Sequence, residues 1–186
     1  MSATTHHHIA DVKQKSNAAE NCLVDSAAFC AGMARLSGAC SIITTSHQGE
    51  LAGLTATAVC SVSAEPPRLL VCVNENVRAH QLISESGRLG VNVLNGGHEG
   101  LARRFAGMVE GVAGAARFEE GNWCEGKNGT PMLCDALVGF ECNVIEQTRS
   151  GTHSIFLCEV IDVISPEDAD SALVYFNRNF VDLAVA

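Results

Sequence analysis

Six short β-type runs, each stopped by Gly, Pro, Asn or Ser, constrain this chain more than any other feature: residues 40–45, 53–62, 68–74, 90–94, 136–146 and 154–164. A strict strand–helix–strand alternation is missing, so the pattern points to a mainly β fold, an antiparallel barrel or sandwich with helices packed outside. Two helices are expected. Residues 26–36 carry Phe29, Met33 and Leu36 at helical spacing behind Ser26 as cap, with Gly38 as the stop. Residues 96–107 place Leu101 and Phe105 one turn apart. The stretch 107–130, rich in Gly and charge, reads as a long surface loop, and Pro66-Pro67 force an extended approach to the strand that follows.

With 186 residues the chain has the length of one domain, enough to bury roughly 70% of its unfolded surface. Residues 1–25 read as a disordered leader and 26–186 as a single domain. Apolar residues make up 47% and charged ones 18%, too apolar for disorder, yet no run reaches the ~18 apolar residues of a membrane span. The formal charge of -9 has the wrong sign for a partner held through nucleic acid phosphates. No basic, apolar and cleavable segment opens the chain, which favours the cytoplasm. The nine cysteines are odd in number, show no C-x-x-C pair and mostly sit in apolar runs, so they read as small core residues in a reducing compartment. His6, His7 and His8 have no second ligand group near them, and no metal is expected there.

Several apparent motifs dissolve on inspection. Gly121 to Lys127 has phosphate-loop spacing, but Asn128 replaces the hydroxyl residue that would ligate magnesium, and Asn128-Gly129-Thr130-Pro131 continues as a turn where a helix is required. His98-Glu99 opens like a zinc-protease motif, yet Ala102 stands where the second ligand belongs. No Gly-x-Gly-x-x-Gly follows a strand and no Gly-x-Ser-x-Gly elbow is present. Two segments keep two readings open. Residues 53–67 gather small and hydroxyl side chains, which suits either a strand with Thr and Ser facing solvent or a backbone that a ligand approaches closely. His153, beside the Gly151 turn, is either a satisfied structural residue or a ligand contact.

The ordered set Ser41-Ile42-Ile43-Thr44-Thr45, Gly53 through Ser63, Pro66-Pro67, Val73-Asn74, Val91-Asn92-Val93-Leu94, Arg104-Phe105-Ala106-Gly107, Gly151-Thr152-His153 and Leu173-Val174-Tyr175-Phe176 resembles the short-chain flavin reductase family. The resemblance runs from about Phe29 to Phe180. It implies a split β-barrel with a Greek-key core, working as a homodimer that binds FMN or FAD. It also implies hydride transfer from NADH or NADPH to the flavin, which then leaves to serve a separate two-component monooxygenase. A split-barrel protein that holds flavin without turnover is the alternative.

Carried over residue by residue, the resemblance puts Thr55, Thr57, Ala58, Val59, Cys60 and Ser61 along the flavin ring and ribityl chain. It puts Asn74, Asn76, Arg104 and Phe105 at the flavin phosphate, with the Arg104 fork suited to that anion. It puts His153 on the nicotinamide side, where it would orient the donor. Many relatives have Ser shortly after the Asn of the Val73-Asn74 segment, where this chain has Val77. Because both ligands are anionic, an acidic chain needs local positive charge where they bind, or oriented backbone amides. Arg78, Arg103, Arg104 and Arg178 lie in or beside the segments concerned.

Overall fold

The computed structural model describes residues 23–166 and 171–184. The chain runs through α1 (Ser26–Met33), β1 (Gly38–Ala39), β2 (Ser41–His47), β3 (Glu50–Ala56), β4 (Val59–Ala64), β5 (Pro67–Asn74) and α2 (Arg78–Ser86). It continues through β6 (Arg88–Val93), α3 (Glu99–Phe105), β7 (Trp123–Glu125), β8 (Pro131–Leu133), β9 (Val138–Ser150), β10 (His153–Ile164), β11 (Ser171–Phe176) and β12 (Asn179–Ala184).

Seven strands form one antiparallel sheet in the order β3-β2-β6-β9-β10-β5-β4. Its two end strands, β3 and β4, are consecutive in the chain and joined only by Thr57 and Ala58. A link of that length reaches about 11 Å, whereas seven strands laid flat would hold their edges about 29 Å apart. The sheet therefore curls until its edges meet, giving a barrel that stays open along the β3/β4 seam. The remaining strands form a three-stranded sheet, β1-β11-β12, and the β7/β8 hairpin.

β2 shows how one strand serves two cores. Residues Ser41 to Ser46 are all buried: Ile43 joins Val71, Val91, Phe156 and Ile83 inside the barrel, while Ile42 joins Leu94, Leu101, Phe105 and Leu173 on the other side. Three of its four hydroxyls donate to carbonyls, Thr44 to Pro131 at 2.6 Å, Thr45 to Arg88 at 2.8 Å and Ser46 to Gly129 at 2.7 Å. That pairing is what lets a polar strand lie buried on both faces. Leu101 and Phe105, expected on one helix face, are both buried on α3.

Several expectations are corrected. The run 53–62 is not one strand but β3 and β4, broken at the seam. α1 is capped by Asp25, whose carboxylate accepts from the Ala28 amide at 2.8 Å, and not by Ser26. No residue of α1 is buried, so its apolar side chains do not feed the core. α2, β11 and β12 add elements the strand pattern omits, and the 107–130 stretch contains a 3-10 helix at Gly114–Glu119 and the strand β7. Cys40, Cys142 and Cys158 are core residues, but Cys30 and Cys60 are exposed, and Cys124 and Cys134 form a disulfide across the β7/β8 hairpin. The hairpin register explains that pair: Trp123 faces Leu133 and Cys124 faces Met132, which leaves the two cysteine Cα atoms 5.9 Å apart. The His6–His8 run and the first 22 residues of the expected leader lie outside the described residues.

The phosphate-loop look-alike has a structural role. The backbone amides of Lys127 and Asn128 donate to the fully buried Glu141 carboxylate at 2.9 and 2.7 Å, so the loop binds an anion belonging to its own chain.

Candidate functional site

Where the barrel stays open, the residues between β3 and β4 face outward. Thr57, Ala58, Cys60 and Ser61 are exposed and Val59 is half-buried. β4 pairs only with β5, so its outer edge offers backbone N–H and C=O groups that no strand of the sheet takes. Against this edge lies a cavity of about 670 Å³ lined by Thr57, Ala58 and Val59, by Met33 and Leu36 at the end of α1, and by Tyr175 and Arg178 of the β11/β12 hairpin. A second cavity of about 220 Å³, lined by Thr55, Thr57, Met108, Tyr175 and Phe180, shares Thr57 and Tyr175 with it. Most of the lining is apolar, with a few polar groups converging on it, the usual constitution of a small-molecule site.

The register brings a second group of residues to the same region. The Cys72 amide donates to the Ala58 carbonyl at 3.0 Å, and two residues further along β5 Asn74 stands opposite His153. Asn74 accepts from the Asn76 amide at 2.8 Å, which shapes the turn leaving the strand. His153 is exposed, its Nδ1 lying 2.9 Å from the Thr152 hydroxyl. Thr57 and Ala58, Asn74, Asn76 and His153, from three distant parts of the sequence, thus lie toward one end of β4, β5 and β10, with Cys60 and Ser61 further along β4 opposite Leu70 and Leu69.

A polar layer supports this corner from behind. Glu75 follows Asn74 and Ser154 follows His153, so by strand alternation their side chains project to the opposite face. Ser154, fully buried, donates to Glu75 at 3.3 Å and lies 2.8 Å from His80 Nε2. Arg149 pairs with Glu75 at 3.1 Å, and the Glu75 amide donates to the Thr152 carbonyl at 2.9 Å. Sequence reasoning passed over these residues; the signal was their position one step from Asn74 and His153.

Two other expected contacts, Arg104 and Phe105, lie elsewhere, and a third, Thr55, borders the smaller cavity. Arg104 is buried and turned inward, donating to the Arg117 carbonyl at 3.1 Å, the Ala116 carbonyl at 2.6 Å and Glu120 at 2.8 Å. The fork expected to meet a phosphate instead ties α3 to residues 116–120. Phe105 is buried against Phe118 and Trp123 in the second core, with no face toward either cavity. Thr55 lines the smaller cavity, but its hydroxyl is taken by the Ala102 carbonyl at 2.7 Å.

The charge around the site follows from the partners of the ten described Lys and Arg residues. Arg68 pairs with Glu159, Arg103 with Glu99, Lys127 with Asp162 and Arg149 with Glu75. Arg78 pairs with Glu50, and its hydrogen bond holds the Glu50 carboxyl below the usual carboxylate range. Arg88 donates to the Asn128 carbonyl, and Arg117 to those of Gly53 and Phe105. Besides inward-turned Arg104, that leaves Arg35 and Arg178 with no side-chain partner among the described residues, and of these two Arg178 lines the larger cavity.

Known proteins resemble this chain over most of its length. A family model described as "Flavin reductase like domain" matches residues 33–184. The chain is 44% identical over 152 residues to the FMN reductase (NADH) RutF of Stutzerimonas stutzeri, covering 82% of this chain and 85% of that one. It is 44% identical over 153 residues to the 4-hydroxyphenylacetate 3-monooxygenase reductase component of Pseudomonas aeruginosa, covering 82% and 89%. Among solved structures, the NADH:FAD oxidoreductase SgcE6 of Streptomyces globisporus C-1027, in complex with NAD and FAD fragments, is similar with a TM-score of 0.77 and 28% identity, covering 87% of this chain and 96% of that one.

Proposed function

The chain belongs to the flavin reductase-like domain family, and from that premise we propose that it is an NADH-dependent reductase of FMN or FAD whose reduced flavin serves a separate monooxygenase. The observation that carries this reading is the largely exposed 57–61 segment at the open seam, of which Thr57, Ala58 and Val59 line a cavity of about 670 Å³. Small-molecule sites span roughly 300–1,000 Å³. The residues present fit a flavin: an unpaired strand edge and a Thr hydroxyl to meet the polar rim of the ring, and an apolar wall to meet its face.

Each group then has a task. Thr57, Ala58, Val59, Cys60 and Ser61 bind the ring and its chain through backbone and hydroxyl groups. Asn74 and Asn76 shape the turn at the edge of the site. His153 orients the nicotinamide, since proximity and alignment govern the transfer more than a strong base does. A bound flavin supplies the redox chemistry, accepting hydride from NADH. With few aromatic walls and a site open to solvent, the protein's part is alignment and release.

The working unit of this reading is a homodimer. Phe29, Met33 and Leu36 are 58%, 47% and 66% exposed on and just after α1, an apolar surface that a second copy would cover. No helix among the described residues is long and apolar enough to cross a membrane.

Following NADH absorbance with FMN, with FAD and with neither tests the proposal. Oxidation that requires added flavin is expected. A protein that binds flavin but never accelerates NADH oxidation would be the non-catalytic alternative, and would overturn the enzymatic reading.

A further inference from the structure

The flavins this reading assigns are anions in an acidic chain, so their phosphate calls for a facing cation or for oriented backbone amides. Arg104 is not that cation, because carbonyls and Glu120 occupy its guanidinium. We propose that Arg178 recognises the flavin's 5′-phosphate and thereby makes the site prefer phosphorylated flavins over riboflavin. The proposal rests on the flavin reading of the cavity and adds the residue that selects within it.

The geometry carries it in three steps. Arg178 lines the same cavity as Thr57, Ala58 and Val59, so a ligand lying on the seam comes within reach of its side chain. Its guanidinium is exposed and without a hydrogen-bond or ion-pair partner among the described residues, which leaves a planar fork free for a bidentate contact. The turn that holds it is firmly placed. Asn177 and Arg178 adopt φ of 48° and 63°, the left-handed pair that closes a tight hairpin between β11 and β12. The Asn177 amide donates to the Ala34 carbonyl at 2.7 Å, tying the hairpin tip to the end of α1 across the cavity. A left-handed arginine is sterically disfavoured where Gly or Asn would sit easily, so the residue is not the one that turn geometry alone would choose.

The test is a set of titrations of the flavin-free protein with FMN and with riboflavin, read by flavin fluorescence. Wild type is expected to bind FMN roughly ten- to a hundredfold more tightly than riboflavin, the factor a charge-assisted hydrogen-bond pair carries. Arg178→Asn suits the left-handed turn and removes only the charge; it should lower FMN affinity to that of riboflavin and leave riboflavin binding unchanged. Arg178→Lys should keep part of the preference. Arg104→Ala, checked by thermal melting to be folded at the titration temperature, should leave the FMN-to-riboflavin ratio intact. A preference for FMN that survives in Arg178→Asn overturns the assignment, as does equal binding of both flavins by wild type. A wild type that binds neither flavin overturns the functional reading itself and the assignment with it.

Discussion

Arg104 and Arg178 are the same side chain in opposite company, one enclosed by carbonyls and one facing a cavity. Nothing in the sequence around Arg104 reveals its partners, because Ala116, Arg117 and Glu120 reach it only through the folded path of the 107–130 stretch. Arg104→Ala should cost about 2–4 kcal/mol by leaving those carbonyls without donors, a loss that thermal unfolding would register as a clear drop in Tm. An unchanged Tm would contradict the structural role. The cysteines divide in the same way. Burial pushes the Cys40 thiol up to about 11 and the Cys158 thiol up to about 12, and it raises Cys142 further. At pH 8 these three stay protonated and enclosed, so alkylation mapped by mass spectrometry should find Cys30 and Cys60 labelled and Cys40, Cys142 and Cys158 unlabelled in the native protein. Labelling of Cys142 before unfolding would refute the packing described. For His153, replacement by Ala should raise the KM for NADH and leave the flavin Kd nearly unchanged, whereas an equal loss in both would mark it as structural.

The sequence shows an element clearly when its period has room to repeat. The β-branched run of β2 and the Leu101–Phe105 face of α3 are legible, because each buries the residues its pattern singles out. The α2 helix is carried by Ala79, Leu82 and Ile83, but its N-cap is Val77, which makes no side-chain cap hydrogen bond, so no capping residue marks where the helix begins. The break at Thr57–Ala58 leaves no local mark, since residues on both sides favour strand; curvature of the whole sheet decides it. Glycines give a sharper test of the elements. A Cβ on Gly90 in β6 would stand 2.6 Å from Thr44 Oγ1 and 2.7 Å from Met132 Sδ, both buried. Gly90→Ala should destabilise the fold by about 1–3 kcal/mol. Gly100 in α3 meets nothing within 4 Å, and Gly100→Ala should stabilise by about 0.4–1 kcal/mol. Chemical denaturation of the pair would separate these signs, and a neutral Gly90→Ala would count against the register of β2 and β6.

At the scale of the whole molecule, the two-residue link between the ends of a seven-stranded sheet makes barrel and site one feature. Closing the sheet leaves a seam, and the seam exposes the segment whose small and hydroxyl residues were ambiguous in sequence. The mainly β class is legible before any coordinates, whereas the candidates Thr57 to Ser61, Asn74, Asn76 and His153 all come from family resemblance, the residues alone leaving a structural reading open. The cavity is not legible, because α1, β4 and the β11/β12 turn that wall it lie up to 148 residues apart in sequence, from Cys30 to Arg178. Net charge of -9 makes the placement of Arg178 at the cavity matter more than the count of twelve basic residues. A crystal structure of the protein with FMN tests the central claim most directly. The account predicts the flavin ring against residues 57–61 at the seam and its phosphate toward Arg178. A ring bound away from that seam, or a phosphate held by Arg104, would contradict it.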